Sequence, residues 1–471
     1  MNRRYNPVTE DAVNQLKRIV GANFVTTDAE KLRNYAADES IAKVTYLPEV
    51  VVKPGDAMEI SEILKLANRE LIPVTPRGAG TGLSGGVIPV AGGIVLSLER
   101  MNRILEIDEL NLMMTVEPGV ITNEVQRIAA SRGFLYAGDP CSSESSFIGG
   151  NVAENAGGNK AIKYGSTSRH VYGLEVVLPT GEITFFGGKR VKDVTGYDFV
   201  HLMCGSEGTL GVITKIILRL MPLPKYRASI LVPFESADKA ISMVPLIMSE
   251  RRIIPTSIEF MDRGSVKLTE RYLNMRLPFD DASAHLIIEI DGNNKTDIEG
   301  EYEAIGNLCL RNGALEVFVA DNKTTLDKIW KARKAIAEAV KAFSEEFCME
   351  DIVVPISEIP KMLKEIARLT EEYEISSISF GHAGDGNIHV TYLKDEKSKN
   401  RWENDLPSLL RDLYHATVSL GGTISGEHGI GFKRASYIDI ALDKAQLQLI
   451  RQIKKAFDPN WILNPGKIIE D

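Results

Sequence analysis

The sequence predicts an α+β protein, and three observations carry that expectation. Strand-like apolar runs alternate with amphipathic helical runs along nearly the whole chain. Glycine is concentrated in a few loops of the first half. Pro222-Leu223-Pro224 interrupts the pattern, and the composition changes beyond it. The expected organisation is a domain over residues 1–222, a second over 223–425 and a C-terminal segment over 426–471.

In the first domain Ile60, Ile63, Leu64, Ala67 and Leu71 recur at helical spacing, which predicts a helix over Ala57–Leu71. Ile72-Pro73-Val74-Thr75 reads as a short strand running into Arg77-Gly78-Ala79-Gly80-Thr81-Gly82. Strands are expected at Ile94–Leu98, Met113–Val116, Leu174–Leu178 and Ile213–Leu220, with a helix over Asn123–Ser131. In the second domain strands are expected at Ile230–Phe234, Ser257–Phe260, Ala284–Asp291 and Glu316–Ala320. The expected helices there are Ala237–Ser249, Asp297–Asn312, Thr325–Phe343 and Ile359–Tyr373. This alternation fits a ferredoxin-like sheet with helices on one face. Lys444–Phe457 reads as a final helix, closed by Asp458-Pro459.

Composition excludes several classes of function. With 44% hydrophobic and 25% charged residues the 471-residue chain is ordinary for a globular protein. A net charge of −9 argues against nucleic acid or an anionic membrane as a main partner. The opening MNRRYNPVTEDAV lacks the apolar run of a secretory signal. No stretch approaches the ~20 apolar residues of a membrane span; Leu210–Leu220 is broken by Lys215 and Arg219. Cys141, Cys204, Cys309 and Cys348 form no C-x-x-C, so neither an iron–sulfur cluster nor a zinc ribbon is expected, and a cytoplasmic location is.

Glycine lets backbone N–H groups approach a phosphate because no Cβ stands in the way. Four such places fall in the first half: Gly78–Gly86, Gly149–Gly158, Gly165 and Gly205–Gly211. The first follows an expected strand, but no clear helix follows it, so it does not read as the fingerprint of a nicotinamide fold, and it lacks the G-K-[ST] of a P-loop. One such loop is as readily a plain turn. Four together point to one long polyanionic ligand, and a dinucleotide such as FAD has that length and charge.

Of seven histidines, three fall in two further glycine-dense loops, Gly381-His382-Ala383-Gly384-Asp385-Gly386-Asn387-Ile388-His389 and Ser425-Gly426-Glu427-His428-Gly429-Ile430-Gly431. The glycines make a helix improbable, whereas a strand–turn–strand would bring both imidazoles of the first loop to one point. Two His and one Glu could hold a divalent metal such as Zn²⁺, Fe²⁺ or Mn²⁺, with a spare His as base. The bland alternative is hydrogen-bonded loop histidines without a metal. His170, His201, His285 and His415 have no such context and read as structural or exposed.

Pro76–Gly86, Ile148-Gly149-Gly150-Asn151 with Asn155-Ala156-Gly157-Gly158, Tyr164-Gly165 and Gly205-Ser206-Glu207-Gly208-Thr209-Leu210-Gly211 together resemble the FAD-binding domain of the vanillyl-alcohol oxidase/p-cresol methylhydroxylase superfamily. The two histidine loops resemble the C-terminal domain of FAD-linked oxidases. Over nearly its whole length the chain is similar to the FAD-linked D-2-hydroxy-acid dehydrogenases, the group of D-lactate dehydrogenase, glycolate oxidase and D-2-hydroxyglutarate dehydrogenase.

That resemblance implies a two-subdomain FAD-binding domain, a substrate (cap) domain, and a C-terminal helical segment that returns to the flavin domain. It implies that Arg77, Gly78, Ala79, Gly80, Thr81 and Gly82 cradle the pyrophosphate. Pro140, Ser143, Gly149, Gly150, Asn155, Gly158, Tyr164, Gly208 and Ile213 would complete the cofactor site, with Asn464 and Lys467 from the tail. Thr81 stands where covalently flavinylated relatives often carry His, so FAD is expected to be non-covalent. His382, His389 and Glu427 would be the metal ligands, His428 the general base, and Arg333 the clamp on the substrate carboxylate. Arg333 could equally lie on a solvated face, since Lys328, Lys331 and Lys334 surround it in sequence. Met349 stands where hydroxyglutarate-type relatives place a Lys, which favours a short acid, D-lactate or glycolate, over D-2-hydroxyglutarate. The implied reaction is metal-assisted oxidation to the 2-oxo acid, with electrons leaving to electron-transferring flavoprotein or an iron–sulfur subunit. A flavin-free, metal-dependent hydrolase and a non-catalytic FAD-binding subunit are the rivals from other classes.

Overall fold

The computed structural model describes residues 5–40, 46–279, 281–320, 322–344, 346–396, 398–399 and 401–469. Met1–Arg4, part of the stretch read for a signal, lie outside the described residues. Two compact units emerge, one from Met1–Gly157, Gly165–Leu223 and Glu427–Asp471, the other from Gly158–Tyr164 and Pro224–Gly426.

The first unit holds two main sheets. In the four-stranded one, Val50–Val52 and Val74–Arg77 run parallel to Ile94–Ser97, with Val25–Thr26 antiparallel at the edge. Helix Ala57–Glu70 packs here because Ile60, Ile63, Leu64 and Ala67 make one apolar stripe, fully buried with Val74, Ile94 and Leu463. Asp56 caps its start by accepting the Glu59 N–H, and Leu71 ends it in the left-handed region. The other sheet is five-stranded and antiparallel, in the order Ile104–Asp108, Met113–Val116, Val212–Arg219, Val171–Val177, Ile183–Gly187. Its core joins Met114, Val116, Leu174, Val176 and Ile216 to Ile148 and Val152 of the short helix Ile148–Glu154. After a capping-box helix, Lys444–Phe457, the tail runs back beside Val74, bridging it through Leu463.

The second unit is built on one seven-stranded antiparallel sheet. Its order is Phe318–Ala320, Tyr226–Phe234, Ala284–Gly292, Ser257–Asp262, Ser376–His382, Asn387–Leu393, Phe347–Val353. The first four strands have the ferredoxin-like order, and the last three extend it. Helices Ala237–Ser249 and Ile359–Tyr373 have the expected limits. The helix expected over Thr325–Phe343 is instead two, Lys323–Lys334 and Ile336–Phe343, with Ala335 at ψ −1° between them. Ile329 and Ala332 are buried on the first and Ile336, Ala339 and Val340 on the second, so the turn lets both segments reach the core. No helix among the described residues is long and apolar enough to cross a membrane.

Candidate active site

In the first unit the glycine loops converge as their backbones require. Arg77, Gly78, Gly149, Gly150, Gly208, Ile213 and Asn464 line one cavity. A Cβ on Gly78 would stand 3.8 Å from the Gly150 backbone, and one on Gly150 would meet nothing within 4 Å. Open space above bare backbone is what a phosphate-bearing ligand needs. Asn464 donates to the carbonyls of Gly86 (3.0 Å) and Glu207 (2.7 Å), while its buried Oδ1 has no hydrogen-bond partner among the described residues. A buried acceptor left open in a glycine-lined cavity fits a ligand donor better than an empty core.

The other cofactor candidates lie as follows. The Arg77 guanidinium turns back to the carbonyls of Ala37 (2.8 Å) and Asn34 (3.4 Å), so the loop offers a phosphate its backbone more than this charge. Ala79, Gly80, Thr81 and Gly82 continue the loop, with Gly80 at φ +80°. Pro140 and Ser143 share a turn closed by the Ser143 N–H at 2.9 Å. Asn155 is left-handed, and its Oδ1 accepts from Ser168 N–H (2.9 Å) and Ser166 Oγ (3.2 Å). Lys467 donates to the Ile88 carbonyl (2.7 Å), and burial pushes its amine down to about 8. Gly158 and Tyr164 belong to the second unit, where the Tyr164 hydroxyl donates to Asp291 (2.9 Å).

The strand–turn–strand expected for the first histidine loop is present: Ser376–His382, a tight turn at Ala383–Asp385, then Asn387–Leu393. Gly386 turns the chain at φ +86°, where a Cβ would strike the Val354 carbonyl. The two imidazoles meet edge to face, with centroids 5.2 Å apart, and both are buried. His382 Nδ1 lies 2.7 Å from Oε1 of Glu259, and Arg333 pairs with Oε2 of the same carboxylate at 2.8 Å. Burial alone would raise Glu259, but the charges of His382 and Arg333 outweigh it and hold the carboxyl below its ordinary value. A carboxylate only accepts, so Nδ1 of His382 carries a hydrogen toward it, and in the neutral ring Nε2 is then the nitrogen with the lone pair. Arg333 is 3% exposed, which removes the solvated-face alternative, and its Nε has no hydrogen-bond partner among the described residues.

His389 Nδ1 lies 3.5 Å from Oδ1 of Asp351. Asp351 also accepts from Asn387 (2.7 Å), Ser425 Oγ (3.0 Å) and Gly426 N–H (2.9 Å), and so fixes the chain that enters Glu427. Glu427 and His428 fall in the first unit, their side chains 3.9 Å apart. Gly157 makes room there, since a Cβ would come within 2.6 Å of the Glu427 carboxylate. Within the second unit, the paired imidazoles of His382 and His389, one ring already oriented by a buried acid, are donors of the kind that suit a borderline divalent metal. Sequence reasoning missed Glu259 and Asp351. Their signal was an acid inside an otherwise apolar strand, Glu259 in Ile258-Glu259-Phe260 and the pair Glu350-Asp351 between Met349 and Ile352. Of the other histidines, His170 and His285 are buried and His201 is exposed.

Solved structures share this fold. p-Cresol methylhydroxylase with substrate bound aligns at TM-score 0.79, covering 98% of each chain at 17% identity. The 4-ethylphenol oxidase of Gulosibacter chungangensis aligns at 0.78, covering 98% and 97% at 19% identity. The class is therefore a flavoprotein with the p-cresol methylhydroxylase type of FAD-binding fold. Residues 48–187 match the FAD binding domain, and residues 223–468 match the FAD linked oxidases, C-terminal domain. The chain belongs to the FAD-linked oxidoreductases whose members are named for oxidising D-lactate and glycolate. It is 40% identical to the glycolate oxidase subunit GlcD of Bacillus subtilis, over 98% of this chain and 97% of that one. It is 36% identical to the D-lactate dehydrogenase of Anaerostipes hadrus, over 99% and 98%. The D-2-hydroxyglutarate dehydrogenase of Stutzerimonas stutzeri is 30% identical, over 97% and 98%.

Proposed function

We propose that this protein oxidises a short D-2-hydroxy acid, D-lactate first and glycolate next, to the 2-oxo acid. The observation that carries the reading is the buried run Arg333–Glu259–His382, with His389 beside it. Arg333 clamps the substrate carboxylate, and its open Nε supports that role. Glu259 holds both Arg333 and His382 in place. His428 takes the hydroxyl proton. His382, His389 and Glu427 would hold a divalent metal, and its chemistry there would be to lower the pKa of the substrate hydroxyl. The cavity lined by Gly78, Gly150, Gly208 and Asn464 holds FAD without a covalent bond. The chemistry supplied from that cavity would be acceptance of the α-hydrogen as hydride.

The names of the relatives support a hydroxy-acid substrate. D-2-Hydroxyglutarate is the second reading, supported by the Stutzerimonas relative and opposed by Met349, whose thioether cannot pair with a distal carboxylate. The electrons would leave to a partner such as electron-transferring flavoprotein or an iron–sulfur subunit, in the cytoplasm.

The test is a visible spectrum of the purified holoprotein, followed by anaerobic addition of each acid. D-Lactate is expected to bleach the flavin band and L-lactate to leave it. His428→Asn is expected to stay yellow and unbleached. Bleaching at the full rate in that variant would remove His428 as base, and a wild type that none of the acids bleaches would remove the substrate assignment.

A further inference from the structure

We infer that Glu207 is the positioning residue for the loop that carries His428. The two oxygens of its carboxylate accept the N–H groups of Ile430 and Gly431 at 2.7 and 2.6 Å. These successive amides lie two and three residues beyond His428. Charge-assisted bonds to a buried carboxylate are stronger than neutral ones, and two on consecutive amides fix a direction as well as a place.

The backbone of Glu207 argues that the side chain is there for a reason. It sits at φ +51°, in the left-handed region, within Gly205-Ser206-Glu207-Gly208. Glycine would occupy that conformation without strain, and a residue with a Cβ costs more there. The strained backbone is pinned on both sides, by its N–H to the Ala153 carbonyl (2.8 Å) and by Asn464 on its own carbonyl (2.7 Å). Both pins come from parts of the flavin cradle, the helix Ile148–Glu154 and the returning tail. The loop is shaped to its seat: a Cβ on Gly429 would collide with the Glu154 carboxylate and stand 3.0 Å from that of Glu207. Glu207 therefore ties the position of the His428 loop to the glycine segments that hold the cofactor.

This deepens the reading of His428 as base and rests on it, so the test has a readout independent of turnover. Hydrogen exchange is measured on FAD-loaded wild type and Glu207→Gln, together with flavin content and the kinetics of D-lactate oxidation. The amide of Gln accepts at one atom where the carboxylate accepts at two. The variant is expected to keep its flavin and its KM, to lose about tenfold or more in kcat, and to lose about tenfold protection at Ile430 and Gly431 while strand Val212–Arg219 is unchanged. Unchanged protection at those two amides, or lost protection with wild-type kcat, would overturn the inference. If the variant does not fold, wild type decides alone: Ile430 and Gly431 must exchange far more slowly than the exposed loop at Val194, and equal rates overturn the inference. A wild type that no hydroxy acid reduces would sink the substrate reading, and the exchange data would still decide the seat of the loop.

Discussion

His382 and Arg333 are bound to the same carboxylate. Oε1 of Glu259 lies 2.7 Å from Nδ1 of the imidazole and Oε2 lies 2.8 Å from the guanidinium, and all three side chains are buried. The bond on one side fixes a tautomer, and the pair on the other neutralises a cation that burial would otherwise make very costly. Glu259→Gln keeps the shape and removes the charge. It is expected to weaken metal binding about 10–100-fold, as loss of an orienting carboxylate does at other metal sites. Glu259→Ala leaves Arg333 buried and unpaired, and is expected to cost about 3–5 kcal/mol of stability. Metal titration followed by calorimetry checks the first, and denaturant unfolding the second. A Gln variant that binds metal like wild type would show that Glu259 serves packing alone.

Chelation tests the proposed metal apart from the flavin. The glycine cradle belongs to the first unit, and His382 and His389 belong to the second. Treatment with EDTA is expected to abolish turnover while the flavin spectrum persists, and Zn²⁺, Mn²⁺ or Fe²⁺ to restore it. Chelated protein that still oxidises D-lactate at the original rate would remove the metal from the mechanism.

How much of this was legible in the sequence depends on how local the cause is. The helices at Ala237–Ser249, Ile359–Tyr373 and Lys444–Phe457 were read to the residue, because apolar spacing and end signals lie within the segment itself. The break at Ala335 was not, since a change of ψ at one residue leaves helical periodicity intact. His382 and His389 were legible because glycines mark the turn between them. Glu259 was not, because the group it serves lies 123 residues away and only the sheet register, Glu259 opposite His382, brings them together.

Buried His170 gives the first unit a pH dependence. Burial, and after it the charge of Arg219, pushes its imidazole from 6.5 down to about 4. Its ring stands edge-on to the buried Tyr136 at 5.8 Å, and neither ring nitrogen has a side-chain hydrogen-bond partner among the described residues. A base whose folded pKa is depressed favours the fold while it stays neutral. The contribution is complete above the unfolded value and is lost as pH falls from about 6.5 to 4, amounting to about 3 kcal/mol. His170→Phe keeps an aromatic ring and removes the titration. Urea unfolding at pH 8 and pH 4.5 is expected to show wild type losing that much more than the variant, and parallel losses would remove His170 as the cause.

Met349 tests the choice of substrate. It alternates with Asp351 on the strand Phe347–Val353, so the two share a face, and Asp351 lies beside His389. A thioether there, only 8% exposed, offers a second carboxylate no charge and removes the water that could replace one. Wild type is therefore expected to prefer D-lactate to D-2-hydroxyglutarate. Met349→Lys adds a cation whose burial is unfavourable without a partner, and a distal carboxylate supplies that partner only in the longer acid. The ratio of kcat/KM for D-2-hydroxyglutarate over D-lactate is expected to rise about tenfold or more, chiefly through KM for the longer acid. Flavin content and unfolding midpoint establish that the variant is folded before the comparison is made. An unchanged ratio in folded, flavin-loaded Met349→Lys would show that the distal end of the substrate does not reach this strand, and that the preference for a short acid is set elsewhere on the sheet.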